Sequence, residues 1–187
     1  MKTTVKHVFC LLTIVMMGGI VTSCSSSEED IDIDVASKSY FEFTMDGVEH
    51  KSGDLAASIG MSVEGVDEET GDDFKIIYSW VSSEKTSVTL APLVINGEQK
   101  TLGLSEEENA FSLAAIKIGQ EVYLAKEGAL NIKKEVPYYE VEVENENGKG
   151  VALECLIEFS GTFVKGSNHD EEHSVSGKVY VAKPLMY

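Results

Sequence analysis

The sequence predicts an all-β domain, either an antiparallel β-sandwich or a curved partial barrel, with at most one short helix. Three observations predict it. Apolar and polar residues alternate along several runs of strand length. Asp46-Gly47 and Asn96-Gly97 fall between such runs as two-residue hairpin signals, since glycine accepts positive φ. Only one segment has a helical pattern that competes.

The first strand places Phe41, Phe43 and Met45 on one side, with Glu42 and Thr44 opposite. After Asp46-Gly47, a second run from Leu55 to Val66 ends in the acidic turn Asp67 to Asp73. Phe74, Ile76, Tyr78 and Trp80 then share one face of a third strand, and that company assigns Trp80 to the core. A run from Thr86 to Ile95 meets Asn96-Gly97 and returns through Thr101 to Leu104. Pro92 has no N–H for a ladder, which predicts an edge or a bulge there.

Residues 106–118 fit two descriptions. Ser105-Glu106-Glu107-Glu108 matches a capping box, and acids suit a helix start. Phe111, Ala114, Ala115 and Ile118 then make a helical face, closed by Gly119. The same residues tolerate a strand; the balance lies slightly toward the helix. Strand signals resume at Glu121 to Ala125 and at Ala129 to Val136.

In the last third, Tyr139, Val141 and Val143 alternate with Glu140, Glu142 and Glu144. A loop at Asn147-Gly148 leads to a strand through Val151, Leu153, Cys155, Ile157 and Phe159. Pairing apolar with apolar sends the odd residues of both strands to the core. It also places Glu140, Glu142 and Glu144 outside, beside Glu154 and Glu158. Gly161 marks a bend, and a loop from Gly166 to His173 returns into Val175 to Ala182.

Charge narrows the partners. The chain has a formal net charge of −17, and its basic residues are lysines without a single arginine. Nucleic-acid binding leans on cationic contacts to phosphate, with arginine the preferred base reader, so nucleic acid is excluded as a partner. Docking by charge onto anionic lipid is disfavoured on the same ground. The acidity fits solubility outside a cell.

The N-terminus gives an address. Lys2 and Lys6 precede an apolar run from Val8 to Val21, followed by Thr22, Ser23 and Cys24. A basic start, a short apolar stretch and small residues before a cut site compose a secretory signal. Crossing a bilayer takes about 20 apolar residues, and this run is shorter and holds Gly18 and Gly19. Val21-Thr22-Ser23-Cys24 resembles the cleavage and acylation box of bacterial lipoproteins, with Val21 where leucine is usual. The resemblance implies a signal peptide at 1–23 and a diacylglyceryl group on Cys24, usually with an N-acyl chain such as palmitate. One acyl chain holds only reversibly at about 0.8 kcal/mol per buried methylene, whereas several chains anchor stably. Loss of Lys2 and Lys6 with the signal takes the net charge from −17 to −19.

Residues 24–38 read as a flexible tether, because Ser25-Ser26-Ser27 and Glu28-Glu29-Asp30 bury nothing. Ser27-Glu28-Glu29-Asp30 so close to Cys24 resembles the short acidic export signals of Bacteroidota lipoproteins, which implies the outer leaflet of the outer membrane and the cell surface. An acidic linker on a periplasm-facing lipoprotein is the alternative. Residues 39–187 read as one domain. Phe41-Glu42-Phe43-Thr44-Met45-Asp46-Gly47, Ser160-Gly161-Thr162-Phe163 and Ser176-Gly177-Lys178-Val179-Tyr180 resemble a set of small uncharacterised β-rich lipoproteins of the Bacteroidota envelope. That family implies an envelope role and brings no catalytic residues with it; the stretch from Pro92 to Lys126 has no counterpart there.

Four groups of residues could hold chemistry. His169-Asp170-Glu171-Glu172-His173 spaces two imidazoles four apart, a metal-binding pair if helical, but a metalloprotease needs Glu where Asp170 stands. A polar loop is the plainer reading. The turn Asp67 to Asp73 lacks the alternate-position acids of a calcium loop and reads as a solvated hairpin tip. The glutamates of the last hairpin could pair for sugar hydrolysis but read as a solvated face, with Lys133, Lys134 and Lys165 near enough to screen them. Among the aromatics, Trp80 and Tyr138 are the candidates for stacking on a ligand, with Tyr138 the more exposed. Cys155, alone after Cys10 and Cys24 are removed or acylated, reads as a small buried apolar residue. No nucleophile elbow, phosphate loop or dinucleotide fingerprint occurs, and no cofactor is implied. The expectation is a lipid-anchored binding or display module for a glycan or protein ligand. Its rivals are a metal-dependent hydrolase using His169 and His173, and a structural subunit of an envelope complex.

Overall fold

The computed structural model describes residues 38–52, 57–103, 111–141, 148–166 and 168–183, leaving out the side chains of 141, 148, 168 and 169. Cys24, the expected signal at 1–23 and all of the expected tether but Lys38 lie outside the described residues. The described chain is all-β. Its eleven strands are β1 (Tyr40–Met45), β2 (Val48–Lys51), β3 (Ala57–Val66), β4 (Asp73–Ser82), β5 (Thr86–Ala91), β6 (Leu93–Ile95), β7 (Glu98–Gln99), β8 (Leu113–Ile118), β9 (Glu121–Val141), β10 (Gly148–Lys165) and β11 (Asn168–Val181).

The pairings between these strands are antiparallel, and the sheet closes on itself. Strand β10 is the hinge of that closure. One of its edges bonds β9 from Gly150 to Lys165. Its other edge bonds β3 through Gly148–Ala152 and then β11 through Cys155–Lys165. From β3 the pairing runs through β4, β5 and β8 back to β9. The ring settles the choice between sandwich and barrel in favour of a barrel, since a closed ring removes most free edges. Strands β11, β1 and β2 extend from β10 as a wing that ends at β2.

The turns follow the sequence. Asp46 and Gly47 have φ of 49° and 83°, and Asn96 and Gly97 have 52° and 80°, the primed hairpin geometry that matches strand twist. Asn96 also ties its turn to the acidic one: its side chain donates to Asp72 at 2.7 Å and accepts from the Asp73 amide at 3.0 Å. Asp67 caps the acidic turn by accepting from the amides of Glu69 and Thr70. The long strands β9 and β10 cross closely where Gly128 faces Gly161; a Cβ on Gly161 would lie 2.1 Å from the Glu127 carbonyl oxygen.

Inside the ring and under the wing lies one core. It takes Phe41, Phe43 and Met45 from β1, Ile77 and Val81 from β4, and Val88 and Leu90 from β5. Strand β10 contributes Leu153, Cys155, Ile157, Phe159 and Phe163, and β11 adds Val175, Val179 and Val181. Fully burying one such side chain stabilises by about 1.5–3 kcal/mol.

Several expectations need correction. Residues 113–118 are strand β8, bonded to β5 and β9 on its two edges, so tertiary pairing overrides the helical pattern; Ser105 to Glu108 lie outside the described residues. The run from Thr86 to Ile95 breaks at buried Pro92 into β5 and β6, whose partners are successive stretches of β4. The return strand is β7 at Glu98–Gln99, followed only by isolated bridges from Leu102 to Ser112 and to Gly128. The expected loop from Gly166 to His173 is largely β11, which begins at Asn168. In the β9–β10 pair, Val151 faces Glu140 and Ala152 faces Tyr139, and the register then shifts. Glu140 therefore shares the side of Val151, away from Glu154, and Tyr139 is 48% exposed.

Candidate functional site

The wing carries a polar cleft of about 510 Å³ on its outer face, across β9, β10, β11, β1 and β2. That volume lies in the range of ligand pockets, roughly 300–1,000 Å³. Its floor follows from register. Ala129, Ser160, Ser176, Thr44 and Glu49 are successive cross-strand neighbours and make one rung of mostly short side chains. The next rung is Asn131, Glu158, Lys178, Glu42 and Lys51, where charges alternate in sign. Five strands at about 4.8 Å spacing make a trough roughly 19 Å long, running across the strands. Gly177 lets β1 lie close, because a Cβ there would come within 2.4 Å of Phe43 Cβ.

Charges in the cleft are matched. Lys178 donates to Glu42 at 2.8 Å, Lys133 reaches Glu158 at 3.2 Å and Lys51 reaches Glu49 at 3.3 Å. The lining holds three carboxylates against two ammonium groups, nearly neutral in a chain of net charge −17. No histidine lines it, so its serines lack a base beside them. The cleft offers donors and acceptors to a polar ligand and no activated nucleophile.

Beyond the charged rung, Tyr40 and Tyr180 pack with ring centroids 5.6 Å apart, with Lys178 over the first and Lys134 over the second. Tyr180 donates to Glu154, which Lys134 also meets. Those two donors hold the Glu154 carboxyl below the usual carboxylate range, first Lys134 and then Tyr180. Burial, and then Glu154, push the Tyr180 phenol up to about 12. An acid held so firmly ionised is a poor proton donor for glycoside hydrolysis.

Of the residues singled out from the sequence, Glu158 lines the cleft, and the others lie elsewhere. Trp80 is partly buried and points away from the core cluster, because Ile77 and Val81 take the inner side of β4. Its neighbours outside are Ile59 and Thr89. Tyr138 is partly buried, meets Tyr139 edge-on at 5.0 Å and has Lys183 5.7 Å over its ring; Tyr139, not Tyr138, is the exposed one. His173 donates from Nδ1 to Asp46 at 2.7 Å, and its Nε2 is buried without a hydrogen-bond partner, 3.6 Å from a Glu171 carboxylate oxygen. The Nδ1 contact and the Ser174 amide draw the Asp46 carboxyl below its ordinary value. His169 and His173 sit in β11, so their backbones are about 13 Å apart and the helical backbone that the expected metal pair requires is not formed. No metal-holding cluster occurs among the described residues. Cys155 is buried, and burial pushes its thiol up to about 12, the state of an inert thiol.

Glu42, Thr44, Asn131, Ser176 and Lys178 escaped the sequence reading. Each is the polar partner in an alternating strand, a signal present throughout. What joins them is a register across five strands that no local pattern specifies. No protein-family model matches the chain, and no curated protein or solved structure is significantly similar to it.

Proposed function

We propose that this is a lipid-anchored lipoprotein of the bacterial outer membrane, surface-exposed, whose β domain binds a ligand in the polar cleft without catalysis. The observation that carries the address is Val21-Thr22-Ser23-Cys24, followed by Ser27-Glu28-Glu29-Asp30. The cleft supports a binding role, because it is of ligand size and its charges are matched with one another. A glycan or a polar protein segment suits it; a polyanion does not, since the lining is near neutral and the chain acidic.

The address is tested by intact mass of the protein extracted from membranes. A chain beginning at an acylated Cys24, with the added mass abolished by Cys24→Ala, is the expected result; an unmodified thiol or a chain beginning at Met1 overturns it. Protease treatment of whole cells should remove the domain if it faces outward. Binding is tested on glycan and peptide arrays, comparing the parent chain with Ser176→Trp, which fills the floor of the cleft. Hits that survive Ser176→Trp unchanged exclude the cleft as the site.

A further inference from the structure

We propose that β2 is a self-complementary edge through which two copies of the chain join their sheets antiparallel about His50, with Glu49 of each opposite Lys51 of the other. Among the described residues, β2 pairs only with β1, on one side. Its outer side offers main-chain groups without partners there, and Val48 is 60% exposed.

Hairpin geometry decides which groups those are. In a two-residue hairpin the flanking residues, Met45 and Val48, form a hydrogen-bonded pair, and bonding alternates from there. Val48 and His50 therefore bond inward to β1, and the alternation continues as the Ser52 amide donates to the Phe41 carbonyl at 3.0 Å. Glu49 and Lys51 direct their N–H and C=O groups outward. A second strand must oppose odd residues to odd ones to use them. Centring a two-fold axis on Glu49 or on Lys51 would oppose like charges. Centring it on His50 opposes Glu49 to Lys51 twice and makes about four main-chain hydrogen bonds. The charges thus choose one register of three.

Short length and charge usually protect an edge from pairing. Here the two charges have opposite signs at i and i+2, so they reject strangers and accept a copy. The side chains are 72% and 62% exposed, and their contact with each other at 3.3 Å exchanges for an equivalent contact between copies. Such a contact is isologous. It is also short of the roughly 1,200–2,000 Å² of a stable interface, so association is weak in dilute solution and needs trapping to be seen. Glu49 and Lys51 line the cleft, and pairing would run two clefts into one trough across the axis. The inference does not depend on the address or on what the cleft binds.

The test uses the full chain produced in cells. His50 falls at a non-hydrogen-bonded position of the dimer, where Cα atoms approach to about 4.5 Å, within reach of a disulfide. His50→Cys should give a disulfide-linked dimer several-fold above Glu98→Cys, a control on the opposite edge. Adding Glu49→Lys should abolish the excess, and adding both Glu49→Lys and Lys51→Glu should restore it. Dimer yield no greater than the control, or indifferent to the charge exchange, overturns the proposal. Should His50→Cys accumulate poorly through loss of its stacking on Phe43 (4.7 Å between centroids), the parent sequence serves instead. Light and heavy-isotope protein are mixed and treated with a carbodiimide; a hybrid-mass link between Glu49 and Lys51 is expected, and links confined to one isotope refute the pairing.

Discussion

Two outer faces of this domain obey opposite rules. On the wing and β10, outward residues are mostly polar: Glu42, Thr44, Glu154, Glu158, Ser160, Ser176 and Lys178, with Leu156, Tyr40 and Tyr180 among them. On β3, β4 and β6 they are apolar: Ile59, Met61 and Val63 stand beside Trp80, Tyr78 and Ile76, which in turn meet Thr89 and Leu93. Periodicity distinguishes two sides of a strand only when the sides differ chemically. Strand β10 has one wholly apolar side through Leu153, Cys155, Ile157 and Phe159 and one largely polar one, so its core residues are evident from the sequence. Strand β4 has two greasy sides, and the interior of the ring, a matter of topology, decides that Ile77 and Val81 go in.

Neighbouring isoleucines of one type offer the sharpest way to break the comparison. Ile77 is 1% exposed in the core, while Ile76 is partly buried on the outer face. Ile77→Ala should cost about 2–5 kcal/mol in denaturant unfolding, the range for emptying a closed core site. Ile76→Ala should cost less, because the outer face leaves room for solvent. If the two losses are equal, the outer face is a second core under some other part of the protein, and the contrast between the faces fails.

The same contrast predicts reactivity. Cys155 points inward from β10 between Glu154 and Leu156, with no exposed surface of its own. Alkylating reagent at mildly alkaline pH should leave it unmodified in the native domain and label it fully in denaturant. A cysteine placed at the outward position by Ser160→Cys should react in the native state at once. Fast native labelling of Cys155 would mean that β10 opens or is turned over.

What could be read from the chain follows from this difference. The hairpins at Asp46-Gly47 and Asn96-Gly97 and the inward side of β10 were legible, because each depends on a few adjacent residues. The strand at Leu113–Ile118 was not: Ala114, Ala115 and Ile116 suit a helix equally well, and only bonding to β5 and β9 at once makes them a strand. The shift that turns Tyr139 outward arises where β10 exchanges β3 for β11 as its partner, a long-range event. The cleft was the least legible feature. Its residues come from five strands, and the order in which those strands lie together is not the order in which they are synthesised.

The smallest effect tests how the polar face is held. Glu154 has a folded-state carboxyl value below its unfolded one, through Lys134 first and Tyr180 second. Its contribution to stability is complete above the unfolded value, about 4.3, and is lost as pH falls through the folded value. Tyr180 shows the opposite sign: with its phenol pushed up to about 12, its contribution is present below about 10 and disappears as pH rises through the folded value. Glu154→Gln should therefore flatten the loss of stability on the acid side and bring the Tyr180 titration down only part of the way, because burial, the larger cause, remains. Tyrosinate absorbance, with Tyr180→Phe to identify the transition, follows the second effect directly. A Tyr180 titration unmoved by Glu154→Gln would mean that burial alone governs the phenol and that the bond to Glu154 contributes nothing to the polar face.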